Sequence, residues 1–409
     1  MEKKQLILFT ADFPLGTGET FLETEIVYLA KGFHTVIIVS QNTASKECRA
    51  LPENCSVERI NLSISAADKI KALLSVLNPL FWKERSVIKS VYGKRLTKGI
   101  LFTMLISLYR AKRVKTTVAR LQNNNADLKQ YFYSYWCDDV ALGLAMAQKD
   151  FPKIKTLCRI HRWDVYFEES TVAFLPFRHT ITQQIGKIVS ISQDGIDYAK
   201  AVWKTGLDDK FVLSRLGINN SVAPIVLERN YCLLVSCSNI IPVKRVELIA
   251  KALEKVANVS IKWVHFGDGS ERKALESLIH TLPSNIQVEL MGRKENQDIY
   301  SYYSEHRPDL FINVSSSEGV PVSIMEAMSF GIPVIATNVG GNSEIVNNEN
   351  GFLLGSTPSI DEISNVIESY MSLTLEDKKA KSELAFATWQ EFYNATKNYQ
   401  QFLAVISSL

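Results

Sequence analysis

DLFINVSSSEGVPVSIMEAMSFGIPVIATNVGG, residues 309–341, is the stretch on which the fold turns. DLFINVS (309–315) and PVIATNV (333–339) are short, apolar and rich in β-branched residues, as strands buried on both faces are. Between them the pattern predicts a helix beginning near Pro321, because proline's missing N–H is not needed in a first helical turn. Strand, helix and strand in this order predict a parallel sheet with its helices packed on the faces.

The same alternation extends through the rest of the chain. In the first half the strand-like runs are QLILFT (5–10), TVIIVS (35–40), YFYSYW (131–136), KTLCRI (155–160) and KIVSIS (187–192). In the second they are YCLLVS (231–236), IKWVHFG (261–267) and VELMG (288–292), followed by the quoted pair. Two such series predict two doubly wound, Rossmann-like α/β domains facing across a cleft. The polar, turn-rich RLGINNSVAPIVLERN (215–230) marks the interruption between them. We place one domain at 1–218 and the other at 219–388. The aromatic-rich WQEFYNATKNYQQFLAVISSL (389–409) is expected as a helix that returns to pack on the first.

Length and composition agree. The 409 residues are too many for one ordinary core, and 46% hydrophobic with 22% charged residues is ordinary globular composition. Six cysteines form no C-x-x-C pair, and Met1-Glu-Lys-Lys runs straight into a strand-like segment with no signal peptide. Reduced thiols in a cytoplasmic protein are expected. The longest apolar run, GILFTMLISL (99–108), is about half of the roughly 20 residues that a membrane-spanning helix needs.

The net charge of +3 conceals an asymmetry: residues 1–210 carry +9 and residues 211–409 carry −6. Much of the excess lies in 82–120, with eleven bases and one acid. That stretch interleaves Trp82, Phe102, Leu105 and Leu108 with its bases, as an interfacial helix on an anionic membrane would. The alternative is a solvated basic face with GILFTMLISL buried in the core. No nucleic-acid recognition motif accompanies the charge, so nucleic acid is not an expected partner.

Ligands of doubly wound sheets bind outside the carboxyl ends of the strands. Glu318 stands there, on the loop before the helix, and Glu326 about five residues inside it. A helix start favours an anion, and a carboxylate accepts from two adjacent hydroxyls of a sugar or ribose. On spacing alone, a helix-capping Glu and a solvated surface Glu explain the pair better. The neighbours change this. Glu318-x7-Glu326, with Gly319, Val320, Pro321, Ala327, Gly331, Pro333, Gly340, Gly341, Glu344 and Asn350-Gly351, closely resembles the donor-site block of the retaining family 4 glycosyltransferases of the GT-B fold.

The resemblance continues upstream, in VSCSNIIPVKRVELIAKAL (235–253), similar to the family's diphosphate-holding strand, loop and helix. Lys244 matches the family's lysine. Asn239 stands at the arginine position, a departure, since Asn supplies neither charge nor a bidentate fork. Either Arg245 compensates or the grip on the phosphates is weaker. Gly292 and Arg293 match the loop that meets the nucleotide base. Towards the amino terminus, FTADFPLGTGETFLETEIVYLA (9–30) resembles the family's first loop and helix, with Gly18 and Glu19 as candidates. RIHRWDVYFEE (159–169) resembles its His-containing segment, where His161 would sit near the donor sugar with Asp164 beyond it; Arg162 replaces the usual Gly. A Rossmann G-x-G-x-x-G is absent, and Gly16-Thr-Gly-Glu-Thr lacks the lysine of a P-loop.

The resemblance implies a retaining transferase that moves a sugar from a nucleotide diphosphate donor, UDP or GDP, to a glycan or lipid-linked acceptor. It implies no cofactor and no metal, because the metal-binding Asp-x-Asp of the other large fold is lacking. Lys244 would stabilise the leaving diphosphate, Glu318 would face the anomeric centre, and Glu326 would bind the ribose diol. A nucleotide-sugar epimerase, or a binding protein without turnover, is the alternative within the same fold.

Overall fold

The computed structural model describes residues 3–124, 127–220 and 222–409. Met1 and Glu2, read above as leading into the first strand, lie outside the described residues, as does Ser221 in the turn-rich interruption. The chain forms two compact units, Met1–Arg215 with Thr396–Leu409, and Leu216–Ala395.

The first unit is built on seven parallel strands: β1 (Lys4–Thr10), β2 (Thr35–Ser40), β3 (Cys55–Arg59), β4 (Lys129–Ser134), β5 (Lys155–Ile160), β6 (Lys187–Ser190) and β7 (Phe211–Leu213). Their order is β3-β2-β1-β4-β5-β6-β7. The order reverses between β1 and β4, whose register pairs Leu6 with Tyr131 and Leu8 with Tyr133. Leu6, Ile7 and Leu8 are fully buried, so both faces of β1 are covered, which is what an unbroken apolar run requires.

The second unit repeats the plan with six parallel strands: β8 (Tyr231–Cys237), β9 (Ser260–Phe266), β10 (Ile286–Gly292), β11 (Leu310–Asn313), β12 (Val334–Thr337) and β13 (Gly351–Leu354). Their order, β10-β9-β8-β11-β12-β13, reverses between β8 and β11. Its core gathers Leu234, Trp263, Ile312, Ile335 and Ile363. Three strands were not read from the sequence, and all lie at or next to a sheet edge: β3, β7 and β13.

The last helix, Ala395–Ser407, belongs almost wholly to the first unit. Phe402 packs edge-on against Tyr133, with centroids 5.5 Å apart. The Arg159 guanidinium lies 4.3 Å from the Phe402 ring and bonds Glu25 at 2.7 Å, with both ionic side chains fully buried. Burial acts to raise the Glu25 carboxyl, and the upward push prevails over Arg159 and Tyr133.

The interfacial reading of the basic stretch needs correction. Residues 98–124 form one long helix, and it turns Ile100, Met104, Leu105 and Leu108 into the core. Leu105 and Leu108 are therefore unable to enter a lipid surface; of the four expected residues only Trp82 and Phe102 are exposed. No helix among the described residues is long and apolar enough to cross a membrane. All six cysteines are free.

Candidate functional site

The switch point of the second sheet brings the loop after β8 beside the loop after β11. The short turn Pro242–Lys244 follows β8, and Lys244 Nζ donates to Glu318 Oε1 at 2.6 Å. Asn313, the last residue of β11, donates its Nδ2 to the same oxygen at 3.2 Å. Glu318 is buried, so it accepts from an ammonium and an amide with little competition from water.

The backbone around this pair is tightly held. Arg245 sits in the left-handed region at φ 49° and opens the helix Val246–Leu253. Its guanidinium donates to the carbonyls of Val314 at 2.6 Å, Ser315 at 2.9 Å and Ser356 at 3.1 Å. Arg245 therefore ties the loops together with two of its three nitrogens. Ser316 N–H donates to Val243 O at 2.8 Å, and the Thr337 hydroxyl to Ser315 O at 2.6 Å.

Glycine in this site serves protein backbone. Gly340 has φ 52°, and a Cβ there would lie 1.9 Å from Glu318 O. Gly341 N–H donates to Gly319 O at 2.7 Å. Only a residue without a side chain lets the β12 turn press this closely on the Glu318–Gly319 backbone. Gly267 does the same for the β8 loop, where a Cβ would lie 1.8 Å from Ser238 O. Val320 is buried, and Pro321 caps the helix Val322–Ser329 from just outside it.

Glu326 lies inside that helix, and its carboxylate goes to a different partner from that of Glu318. It accepts from the Tyr300 hydroxyl at 2.9 Å. Burial outweighs this hydrogen bond and pushes its pKa up to about 7. Asn239 is exposed on the loop after β8. Gly292, at φ 69°, ends the edge strand β10, and Arg293 beyond it is exposed. Lys244, Arg245, Glu318, Gly319, Val320 and Pro321 thus come together, while Asn239 stands earlier on the β8 loop and Gly292 and Arg293 at the end of β10. Tyr300 and Asn313 escaped the sequence reading. Asn313 did carry a signal, as a polar residue closing an otherwise apolar strand.

The first unit has its own cluster at the carboxyl ends of β1, β4 and β5. His161 is buried, with its ring centroid 4.4 Å from Trp136 and 4.8 Å from Tyr135. Burial holds its pKa below the ordinary histidine value; neither ring nitrogen makes a hydrogen bond among the described residues, Nδ1 lying 3.8 Å from Asp164 Oδ2. Asp164 accepts from the N–H groups of Cys137, His161 and Arg162 at 3.0, 2.9 and 3.1 Å. Burial acts to raise the Asp164 carboxyl, but His161 and these N–H donors outweigh it and hold it low. Glu19, at φ 54°, accepts from the N–H groups of Ala11, Asp12 and Phe13 at 3.0, 2.7 and 2.7 Å, and from Trp136 Nε1. It fills the ring of amides after β1 with its own carboxylate. Gly18 N–H donates to Asp12 Oδ2 at 2.6 Å. No group of three or more His, Cys, Asp or Glu close enough to hold a metal ion occurs among the described residues.

Two parallel sheets, with polar residues gathered outside the carboxyl ends of their strands, define the class. The fold is that of the GT-B glycosyltransferases. The chain superposes on a glycosyltransferase from Rickettsia africae with TM-score 0.71 and 18% identity, over 100% of this chain and 99% of that one. It superposes on Anabaena HepE, crystallised with UDP, with TM-score 0.66 and 18% identity, over 99% of this chain and 100% of that one.

At the level of sequence, residues 221–384 match the family model of glycosyl transferases group 1. Among curated relatives, the GtfA subunit of the UDP-N-acetylglucosamine–peptide N-acetylglucosaminyltransferase of Streptococcus parasanguinis is 31% identical over 137 residues, 33% of this chain and 26% of that protein. The O-antigen biosynthesis glycosyltransferase WbnH of Escherichia coli is 33% identical over 132 residues, 31% of this chain and 36% of that protein. The matched part spans 26% to 36% of these relatives' lengths.

Proposed function

We propose that the protein is a glycosyltransferase that takes a sugar from a nucleotide diphosphate donor, UDP- or GDP-linked, and passes it with retained configuration to a glycan or lipid-linked acceptor during cell-surface polysaccharide assembly. The observation that carries this reading is the Lys244–Glu318 pair at the switch point of the second sheet, with Glu326 eight residues on. The match of residues 221–384 to glycosyl transferases group 1 supports it.

Each residue has a role that its surroundings suit. Lys244 meets the diphosphate, and its ammonium neutralises the charge that grows on the leaving group. When the donor enters, Glu318 accepts from sugar hydroxyls and stands beside the positive charge that develops at the anomeric carbon. Glu326 accepts from the ribose diol in its ionised form. Within the first unit, neutral His161 offers a ring nitrogen to a substrate hydroxyl. Transfer proceeds on the front face without a metal ion or other cofactor, the charge being carried by Lys244 and the helix start at Val322. The protein works in the cytoplasm, at the inner membrane face when its acceptor is lipid-linked.

The exposed, uncharged Asn239 on the diphosphate loop favours a second reading, epimerisation of a nucleotide sugar or binding without turnover. Incubation with UDP-, GDP- and ADP-sugars, followed by chromatography of nucleotide and sugar, separates the two. Release of nucleoside diphosphate with an unaltered sugar is expected. An epimerised nucleotide sugar, or tight binding with no release in the presence of any acceptor, would assign the second reading.

A further inference from the structure

The helix Ala66–Leu73 and the short 3-10 turn Leu74–Leu77 that continues it place Ile70, Leu73, Leu74 and Leu77 at i, i+3, i+4 and i+7. That spacing puts them along one face, the stripe a surface helix ordinarily turns into the core. Here it is turned outward: Ile70 is 70% exposed, Leu73 55%, Leu74 67% and Leu77 77%. The inner contacts are made by the smaller Ala72 and Val76. Trp82, 51% exposed, extends the patch: its Nε1 donates to Val76 O at 2.9 Å, and Arg85 lies 5.3 Å from its ring. A contiguous apolar face of this kind marks an interaction surface.

The exposed charges on the stripe's own segment are of one sign. Lys69, Lys71, Lys83, Arg85 and Lys89 are exposed on residues 66–90. The two acids of that segment are engaged: Asp68 caps its helix and accepts from Tyr109, and Glu84 is buried against Phe177 N–H. A groove of about 950 Å³ runs beside the stripe, with Leu77, Leu108, Met146 and Phe151 in its lining together with Lys71, Lys112 and Lys115, the last of these paired with Asp150.

We propose that this face docks on an anionic lipid bilayer, with Ile70, Leu73, Leu74, Leu77 and Trp82 entering the acyl boundary while Lys69, Lys71, Lys83 and Arg85 meet headgroup phosphates. An aliphatic stripe flanked by bases is what interfacial binding requires. A second copy of the chain is a poorer occupant, because two-fold pairing of this face would bring like charges together. The inference holds whether or not the transfer reaction above is correct.

Sedimentation of the full chain with phosphatidylcholine vesicles, and with vesicles that also contain phosphatidylglycerol, tests it. Binding to the anionic vesicles at low salt and release as salt rises are expected. Leu73→Ser/Leu77→Ser and Lys69→Ser/Lys71→Ser should each lower the partition constant about tenfold or more. These side chains are exposed, so unfolding midpoints should stay where they are, which separates lost docking from lost folding. Absence of binding at low salt, or binding that the leucine variant leaves unchanged, would overturn the proposal. A concentration-dependent dimer abolished by Leu73→Ser/Leu77→Ser, with vesicles ignored, would assign the face to a second copy and equally overturn it.

Discussion

Glu318 has two donors, Lys244 from 74 residues earlier and Asn313 from five residues earlier. Lys244→Ala should therefore do two things. It leaves a buried carboxylate with only an amide donor, costing about 1–3 kcal/mol of stability in urea unfolding, and it weakens nucleoside diphosphate binding. Glu318→Ala should lower turnover by about 10²–10³ while changing nucleotide affinity little, because the charge it faces exists only in the transition state. Full turnover in that variant would remove Glu318 from the chemistry. Glu326 allows a pH test with a definite sign. Its folded pKa of about 7 lies above the ordinary 4.5, so the folded protein binds more protons between these values. Stability should fall as pH rises through that window, by about 3 kcal/mol in all. Glu326→Gln should remove this dependence and be the more stable form at pH 8, while binding ribonucleotides more weakly. Equal unfolding profiles for the two proteins from pH 4.5 to 8 would contradict this. The spacing of the two glutamates was plain in the sequence. Their different partners were not, because Lys244 and Tyr300 reach them only through the order in which the strands pair.

At the scale of elements, legibility followed burial. Strands such as β1 and β12, buried on both faces, announce themselves as unbroken apolar runs. The edge strand β3 reads CSVER, half exposed along its length, and β7 has only three residues. An edge strand needs one covered side and little length, so its pattern falls below what periodicity detects. The glycines of the β12 turn were visible, but what they approach was not: Glu318's own carbonyl. Gly340→Ala forces a side chain into the left-handed region and against that oxygen. It should lower both the unfolding midpoint and nucleotide affinity, whereas Gly355→Ala, in open space, should change neither. The last helix gives a second prediction. Phe402 is fully buried on Tyr133 and Arg159, so Phe402→Ala should cost about 3–5 kcal/mol in equilibrium unfolding. A cost below about 1 kcal/mol would show that the helix is dispensable to the first unit.

For the whole molecule, the parallel series of strands on either side of residue 220 was enough to expect two doubly wound units, and the strand orders agree. The charge split also belongs to this scale. Its basic excess was legible, but the apolar partner of those bases was assigned to the wrong helix. GILFTMLISL turns its apolar side into the core, as the alternative reading had it; the stripe that does face outward, Ile70 to Leu77, has an ordinary helical spacing that gives no hint of its direction. Metal independence is a further expectation here, and activity that disappears in EDTA and returns with Mn²⁺ would contradict it. The most direct single measurement is calorimetric titration of the full chain with UDP and GDP, in wild type, Lys244→Ala and Glu326→Ala. Saturable binding of at least one nucleotide, weakened about tenfold or more in both variants, is the expected result. No binding of either nucleotide to the wild type, or binding that both variants leave unchanged, would mean that the Lys244, Glu318 and Glu326 constellation does not hold a nucleotide diphosphate donor.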